Sequence, residues 1–357
     1  ADEIRDLAGR WTAELAAVAD LVAAGTRVGL SPSDVPGTAI SQAELDALAV
    51  RFPGVDVWPL TPLQRGLYFQ SEMAAHSDGA VDVYVTQASL ELGGEIDAER
   101  LRSAAAQLLA HHRVLRSGYV RAESGAVAAV VPEHVEIPWE DVDLGAEGIT
   151  ADQVHDRLAE IANTERLRPF ELDAPPLMRF VFVRHGATAT LVVTNHHILT
   201  DGWSGPLVLA DLLALYAGRG TFTETMSGAA ESGGDRPDFA SFVRGIARQD
   251  DAAGRAAWRG VLASLEEPTL VAAHVEPDAS DMPRDHTEQF DAELTAGIEQ
   301  LARSEGVTVA TVLQFAWAVL LSRMTGNQVV SFAETVSGRP AELDGVESMV
   351  GLFINTL

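Results

Sequence analysis

His196 and His197, followed four residues later by Asp201, are the side chains of this chain best suited to proton chemistry. They lie in the run Leu191-Val-Val-Thr-Asn-His-His-Ile-Leu-Thr-Asp-Gly-Trp-Ser-Gly205. Imidazole titrates near neutral pH, so it can take a proton from a nucleophile or place a hydrogen bond on it. The β-branched stretch Leu191 to Thr194 predicts a buried strand, and Asp201-Gly202 predicts a turn. Helical spacing resumes from Pro206 to Tyr216. A strand would therefore deliver two imidazoles at its end, on a rigid element. Side chains alternate faces along a strand, so at most one of the pair can face a given cavity. Histidine is equally at home as a satisfied core residue, and the residues alone leave both roles open.

The elements that must hold this run are legible on either side. Ile4, Leu7, Trp11, Leu15, Val18 and Leu21 recur at helical spacing, predicting an amphipathic helix over 2–24. Residues 29–36 are dense in turn formers and read as a linker. Ser41-Gln-Ala-Glu44 is a capping box opening a short helix that must find something to pack on. Thr61 is the expected N-cap of the next helix, with Pro62 at its first position. Strands are expected over 84–92, 126–131, 135–139, 180–183 and 328–335. Helices are expected over 96–109, 151–166, 239–246, 253–262, 294–304 and 309–323. Residues 218–237 read as a mobile boundary loop.

Length and composition narrow the function classes. At 357 residues the chain exceeds what one core usually supports, so two subdomains are expected. A formal net charge of −27 argues against a nucleic-acid binder, which would need a basic face, and against an anionic membrane surface. With no cysteine there can be no disulfide, thiolate zinc site or cysteine nucleophile, and no His-x-x-x-His pattern supplies metal ligands, so no metal is expected. The charged opening Ala-Asp-Glu-Ile-Arg-Asp carries no signal-peptide pattern, and the apolar run near Val312 to Leu321 is too short to span a bilayer. A cytoplasmic protein is expected.

His196-His197-x-x-x-Asp201-Gly202 resembles the HHxxxDG signature of nonribosomal peptide synthetase condensation domains, relatives of chloramphenicol acetyltransferase, and Trp203-Ser204 extends it as the family does. Five further strings match the family. Pro59-Leu-Thr-Pro-Leu-Gln64-x-Gly66 resembles the first motif, and His112-x-x-Leu115-Arg116 resembles the second, although His111 and Arg113 replace its usual Arg and Glu. Val336-Ser-Gly-Arg-Pro340 and Met349-Val-Gly-Leu-Phe-Ile-Asn-Thr-Leu357 resemble the later ones, and Phe170 to Arg179 is similar to the family's connector.

The resemblance implies an α/β fold of two chloramphenicol acetyltransferase-like subdomains in a V-shaped pseudo-dimer. Residues 1–55 would be the tail of an upstream domain plus a linker, 56–232 the N-terminal subdomain, and 233–357 a C-terminal subdomain that looks truncated. It implies amide-bond formation between donor and acceptor thioesters, whose phosphopantetheine arms arrive on upstream and downstream carrier proteins, with no cofactor of the domain's own. His197 is implied to touch the attacking amine, as base or positioner, while His196 packs structurally. Asp201 would hold the loop by an ion pair to Arg339, with backbone N–H groups near Gly202 available to an oxyanion. Trp203, Ser204, Ser337 and Asn355 would line the substrate tunnel. Rival readings are an epimerization-type domain, which would have Val-Ser-Trp after Asp-Gly, and a non-catalytic fragment that docks carriers. The Ser-Pro-Ser-Asp linker resembles those following epimerization domains, which would imply a D-configured donor.

Overall fold

β7 (Thr188–His196) is the central strand of the main sheet, and its placement explains its apolar run. It pairs antiparallel with β2 (Val85–Gly93) on one side and β6 (Met178–His185) on the other; β5 (Trp139–Asp143) runs parallel to β6 at the edge. The computed structural model describes residues 2–24, 29–77, 81–221, 223, 238–271 and 286–357. Both faces of the sheet are covered. Val181, Val183 and Val192 pack against Ile161 and Leu158 of α5 (Val154–Leu167). Met178, Phe180, Phe182 and Leu191 face the larger core, with α4 (Ala98–His111) and α6 (Ser204–Tyr216). A strand covered on both faces must be apolar throughout.

A second, three-stranded sheet runs β1 (Asp56–Trp58), β4 (Val127–Val131), β3 (Gly118–Arg121). Trp58, Tyr119 and Val131 enter the main core, while Val57, Ala128 and Val130 receive Leu45 and Leu48 of α2 (Gln42–Arg51) together with Val35 and Ile40. The linker segment is therefore packed onto the body. Its helix begins at the expected capping box, and Glu44 is pushed down to about 2 by hydrogen bonds from the Ser41 and Ser124 backbone N–H groups. In contrast, the apolar stripe of α1 (Asp2–Ala23), Ile4 through Leu21, is exposed. α3 (Pro62–Ala75) starts at the Thr61 capping box with Pro62 at its head.

α7 (Phe239–Ile246), expected to open the second subdomain, buries Phe239, Phe242 and Val243 in the main core beside Trp58, and Phe353 meets the Phe239 ring edge-on and the Phe242 ring at a tilt of 42°. α8 (Asp251–Val261), α9 (Ala292–Glu305) and α10 (Val309–Thr325) follow, the last two packing chiefly on each other. Phe315 and Trp317 of α10 are exposed. No single described helix is long and apolar enough to cross a membrane.

Two strand expectations need correction. The ladder expected over 135–139 begins only at Trp139, because Pro138 has no N–H to donate; Val135 and Ile137 pack on the core without pairing. Of 328–335 only the end is paired: β8 (Thr335–Val336) runs antiparallel to β9 (Asn355–Thr356), and Glu334 exchanges backbone hydrogen bonds with Leu357 at 2.9 Å. The expected boundary loop lies mostly outside the described residues, as does the junction at 232/233. Phe239→Ala should cost about 3–5 kcal/mol, the range for emptying an aromatic core site; urea unfolding followed by circular dichroism would show it, and a loss below about 1 kcal/mol would refute this packing.

Candidate active site

The two histidines take opposite sides of β7, as alternation demands. His196 is fully buried. Its Nδ1 accepts from the Ile198 N–H at 3.0 Å, which puts its proton on Nε2, facing Ser71 Oγ at 3.0 Å and Asp82 Oδ2 at 3.2 Å. Every polar atom of that ring is spoken for. Burial works against the Asp82 carboxylate, but hydrogen bonds from His196 Nε2, the Tyr84 N–H and Ser71 outweigh it and hold Asp82 below its ordinary value.

His197 is different. Its backbone N–H is pinned to Tyr84 O at 2.7 Å, yet its Nδ1 is buried with no hydrogen-bond partner among the described residues. The ring lines a cavity of about 410 Å³ between the sheet and α4 and α6, together with Asp201, Gly202 and Gly205. No carboxylate among the described residues orients this imidazole, so it is not the middle of a charge-relay triad there.

Asp201 is the hub of the turn instead. Its Oδ1 accepts from Ser204 N at 2.8 Å and Arg339 Nη2 at 3.2 Å, and lies 2.8 Å from Ser204 Oγ; its Oδ2 accepts from Phe353 N at 2.9 Å. Side-chain exposure is 0% for Asp201 and 5% for Arg339. Arg339 also donates through Nη1 to Val346 O and, at 2.9 Å, to Met349 O, and its guanidinium lies 4.1 Å from the Phe353 ring centre. Burial pulls the Arg339 guanidinium below its ordinary value, and the Asp201 charge opposes that. Ser204 Oγ accepts from Gly351 N at 3.0 Å, so the 339–353 segment is laced to the start of α6. Two glycines permit the approach. At Gly338, with φ +61°, a Cβ would sit 1.9 Å from Phe353 O; at Gly351 it would sit 2.2 Å from the Phe239 ring.

None of the four residues expected in the tunnel lines the His197 cavity. Ser204 is fully buried, with its hydroxyl used in the clasp. Trp203 is 52% exposed and donates from Nε1 to Glu347 O at 2.9 Å. Asn355 lines a separate cavity with Thr61 and Phe242, and Ser337 is exposed.

Sequence reasoning missed the residues that hold the histidine loop from behind. Gln64, the third residue of the α3 capping box, is buried and donates from Nε2 to Tyr119 Oη at 2.9 Å and Ile198 O at 3.2 Å. Tyr119 Oη donates to the same carbonyl at 3.1 Å. The glutamine was visible in the Pro-Leu-Thr-Pro-Leu-Gln string; Tyr119 and Asp82 carry no local signal. In the second motif, His112 Nε2 meets Asp211 Oδ2 at 2.7 Å, tying α4 to α6. His111, His112 and Asp211 could offer a metal three donor atoms within 4.8 Å, but Thr223 already donates twice to that carboxylate.

A model of the condensation domain matches residues 55–357. The chain belongs to the condensation-domain family. Similar stretches occur in chondramide synthase cmdD of Chondromyces crocatus, 33% identical over 372 aligned positions, and in a linear gramicidin synthase of Brevibacillus parabrevis, 34% identical over 335; each alignment takes in 92% of this chain. The chain spans only 9% and 4% of the lengths of those synthetases. Its fold is similar to the first condensation domain of the calcium-dependent antibiotic synthetase, solved with a substrate analogue: TM-score 0.61, 21% identity, 85% of this chain and 69% of that one. The starter condensation domain of rhizomide synthetase, solved with C8-CoA and Leu-SNAC, gives a TM-score of 0.64 at 18% identity, covering 89% and 67%.

Two outcomes follow for this condensation domain. Breaking a buried pair leaves an uncompensated charge, so Asp201→Ala and Arg339→Ala should each lose roughly 3–5 kcal/mol; in denaturant titrations the double variant should lose clearly less than the sum, and strict additivity would contradict the clasp. Asp56, Asp82 and Asp211 all sit below the ordinary carboxylate value, each because hydrogen bonds and charge partners outweigh burial. A depressed folded-state value adds stability that is present above about pH 4 and is lost as the pH falls through the folded value. Asp82→Asn should therefore flatten the fall of stability below about pH 4, measured by unfolding at stepped pH; an unchanged slope would count against it.

Proposed function

We propose that this chain forms the amide bond between a donor and an acceptor thioester, each tethered through phosphopantetheine to a carrier protein of a nonribosomal peptide synthetase. The acceptor amine attacks the donor carbonyl; the C–N bond forms, the C–S bond breaks, the thiolate leaves on the donor carrier, and the amine gives up one proton. The product stays on the acceptor carrier. One observation carries the reading: an imidazole with an unpartnered buried Nδ1 stands at the edge of a substrate-sized cavity, on a loop braced from three directions.

Thioester aminolysis asks little covalent help of the protein, because a thiolate leaves readily and a neutral amine attacks well. Holding the two arms in line can contribute about 7–11 kcal/mol. His197 then hydrogen-bonds the attacking nitrogen, as base or positioner, and base catalysis would add roughly 10²–10⁴-fold. Asp201, saturated by its own donors, keeps the loop rather than the proton. Gly202, next to the helix start and lining the same cavity, is the candidate for donating an N–H to the developing oxyanion.

The same reading places the chain in the cytoplasm among neighbouring synthetase domains, within a V-shaped pair of subdomains to which residues 56–232 and 233–357 belong. The two arms enter from opposite ends and need no cofactor of the chain's own. The linker around Ser31-Pro-Ser-Asp34 supports a D-configured donor. The solved relatives' ligands, a substrate analogue and an acyl-CoA with an aminoacyl thioester, fit this chemistry.

With donor and acceptor carriers loaded and this chain added, dipeptidyl-carrier should appear in the mass spectrum, and His197→Ala should lower its rate by about 10²-fold or more. Unaffected product formation would overturn the site. In the same assay the D donor should condense faster than the L donor; the reverse order would refute the stereochemical part.

A further inference from the structure

The cavity beside His197 has walls whose chemistry is more selective than the reaction requires. The sheet face supplies Ala88, Phe180 and Val193, and the helices supply Leu108, Val208 and Leu212. At about 410 Å³ it falls within the range of small-molecule pockets, which are typically apolar with a few placed polar groups. Among its lining residues there is no lysine, arginine or glutamate. The one carboxylate is Asp201, whose oxygens are taken by Ser204, Phe353 and Arg339. Asn195 is also engaged, with Nδ2 donating to His196 O at 3.2 Å and Thr200 Oγ1 at 3.4 Å. Gln87 spends its amide on Ala162 O and Thr194 Oγ1.

A charged group entering this space would lose its water and find, apart from the His197 ring nitrogen, no unengaged group of opposite charge among these walls, which is costly. An apolar group would exchange water for the walls at a gain proportional to its area. The mouth is also open. Gly202 and Gly205 line it, and a Cβ built on either would meet no atom within 4 Å. Neither glycine has the positive φ that forbids a side chain, so the space there is set by side-chain size and not by backbone geometry.

We propose that this cavity is a specificity pocket for an uncharged, apolar side chain or short alkyl chain carried by one of the two thioester substrates, and that Gly205 and Ala88 set how large that group can be. The assignment rests on the condensation reading, since it takes the group's carbonyl or amine to lie at His197. It adds what the reaction does not dictate: acidic and basic residues are rejected, and the rejection comes from the walls.

Equilibrium binding to the full chain tests it, using hydrolysis-resistant amide analogues of pantetheine thioesters bearing alanyl, leucyl, hexanoyl, aspartyl or lysyl groups. The aminoacyl members are made with a free α-amine to mimic acceptors and N-acetylated to mimic donors. Leucyl and hexanoyl analogues should bind at least about tenfold tighter than aspartyl and lysyl ones. Gly205→Leu, and separately Ala88→Leu on the opposite wall, should weaken leucyl and hexanoyl binding by about fivefold or more, with a loss that shrinks toward the alanyl analogue. Circular dichroism checks that each variant is folded. Whichever series responds identifies donor or acceptor as the occupant. Charged analogues binding as tightly as leucyl, or a loss equal across all analogues in both variants, would overturn the pocket. If the carrier assay yields no dipeptide while this size and charge selectivity persists, it is the condensation reading that fails and not the pocket.

Discussion

The Asp201–Arg339 pair is the contact on which the rest of the site depends. A carboxylate with no exposed side-chain surface is tolerable only because four groups point hydrogens at it or share them with it, and one of those groups is a cation nearly as buried. Three consequences come from one pair. The turn after the histidines is held in one shape, the start of α6 is fixed against it through Ser204, and the 339–353 segment is drawn onto the N-terminal core. Phe353 completes the arrangement by packing its ring against Phe239 and Phe242 while its backbone N–H reaches the same carboxylate. The ion pair and the aromatic cluster thus hold one segment from two sides.

That bracing lets the two histidines divide their work. His196 faces a closed polar pocket formed by Ser71, Asp82 and the Ile198 N–H, and with all its atoms engaged it can only hold. His197 faces the cavity with a nitrogen left over. In a folded interior an unpaired buried polar atom is costly, and a ligand that completes it is one way to offset the cost. The loop carrying it needs rigidity from elsewhere, which Gln64 and Tyr119 supply by converging on the Ile198 carbonyl from two separate elements. Rigidity in the loop and an incomplete hydrogen-bond set on one ring together suit a group that must meet a nucleophile in a defined direction.

Much of this was legible in the residues. The period of two in β7, the capping boxes at Ser41 and Thr61, the helical spacing of α4 and α6, and the apolar run of α10 are local patterns, and each appears within a few residues of where it was expected. The histidines' opposite facings came from strand alternation alone. The strand expected over 135–139 begins only at its last residue because a proline decides where a ladder can begin. Ser204 and Trp203, expected to line the tunnel, do not line the His197 cavity. Ser204 and Trp203 sit next to the motif in sequence, but a helix start turns successive side chains in different directions, and theirs point into the clasp and toward Glu347.

By itself the sequence determined the family, the elements and the identity of the candidate reactive imidazole, because motifs, caps and periodicity act over a handful of residues. The tertiary structure alone decided which groups stand opposite them. Asp82 reaches His196 across 114 positions, Arg339 reaches Asp201 across 138, and Phe353 closes the same site across 152. Contacts of that separation depend on how the packed sheets and helices bring distant segments together, and no local pattern encodes them. The apolar cavity is of the same kind: its walls come from β2, α4, β6, β7 and α6, whose side chains share a face only once the sheet has formed.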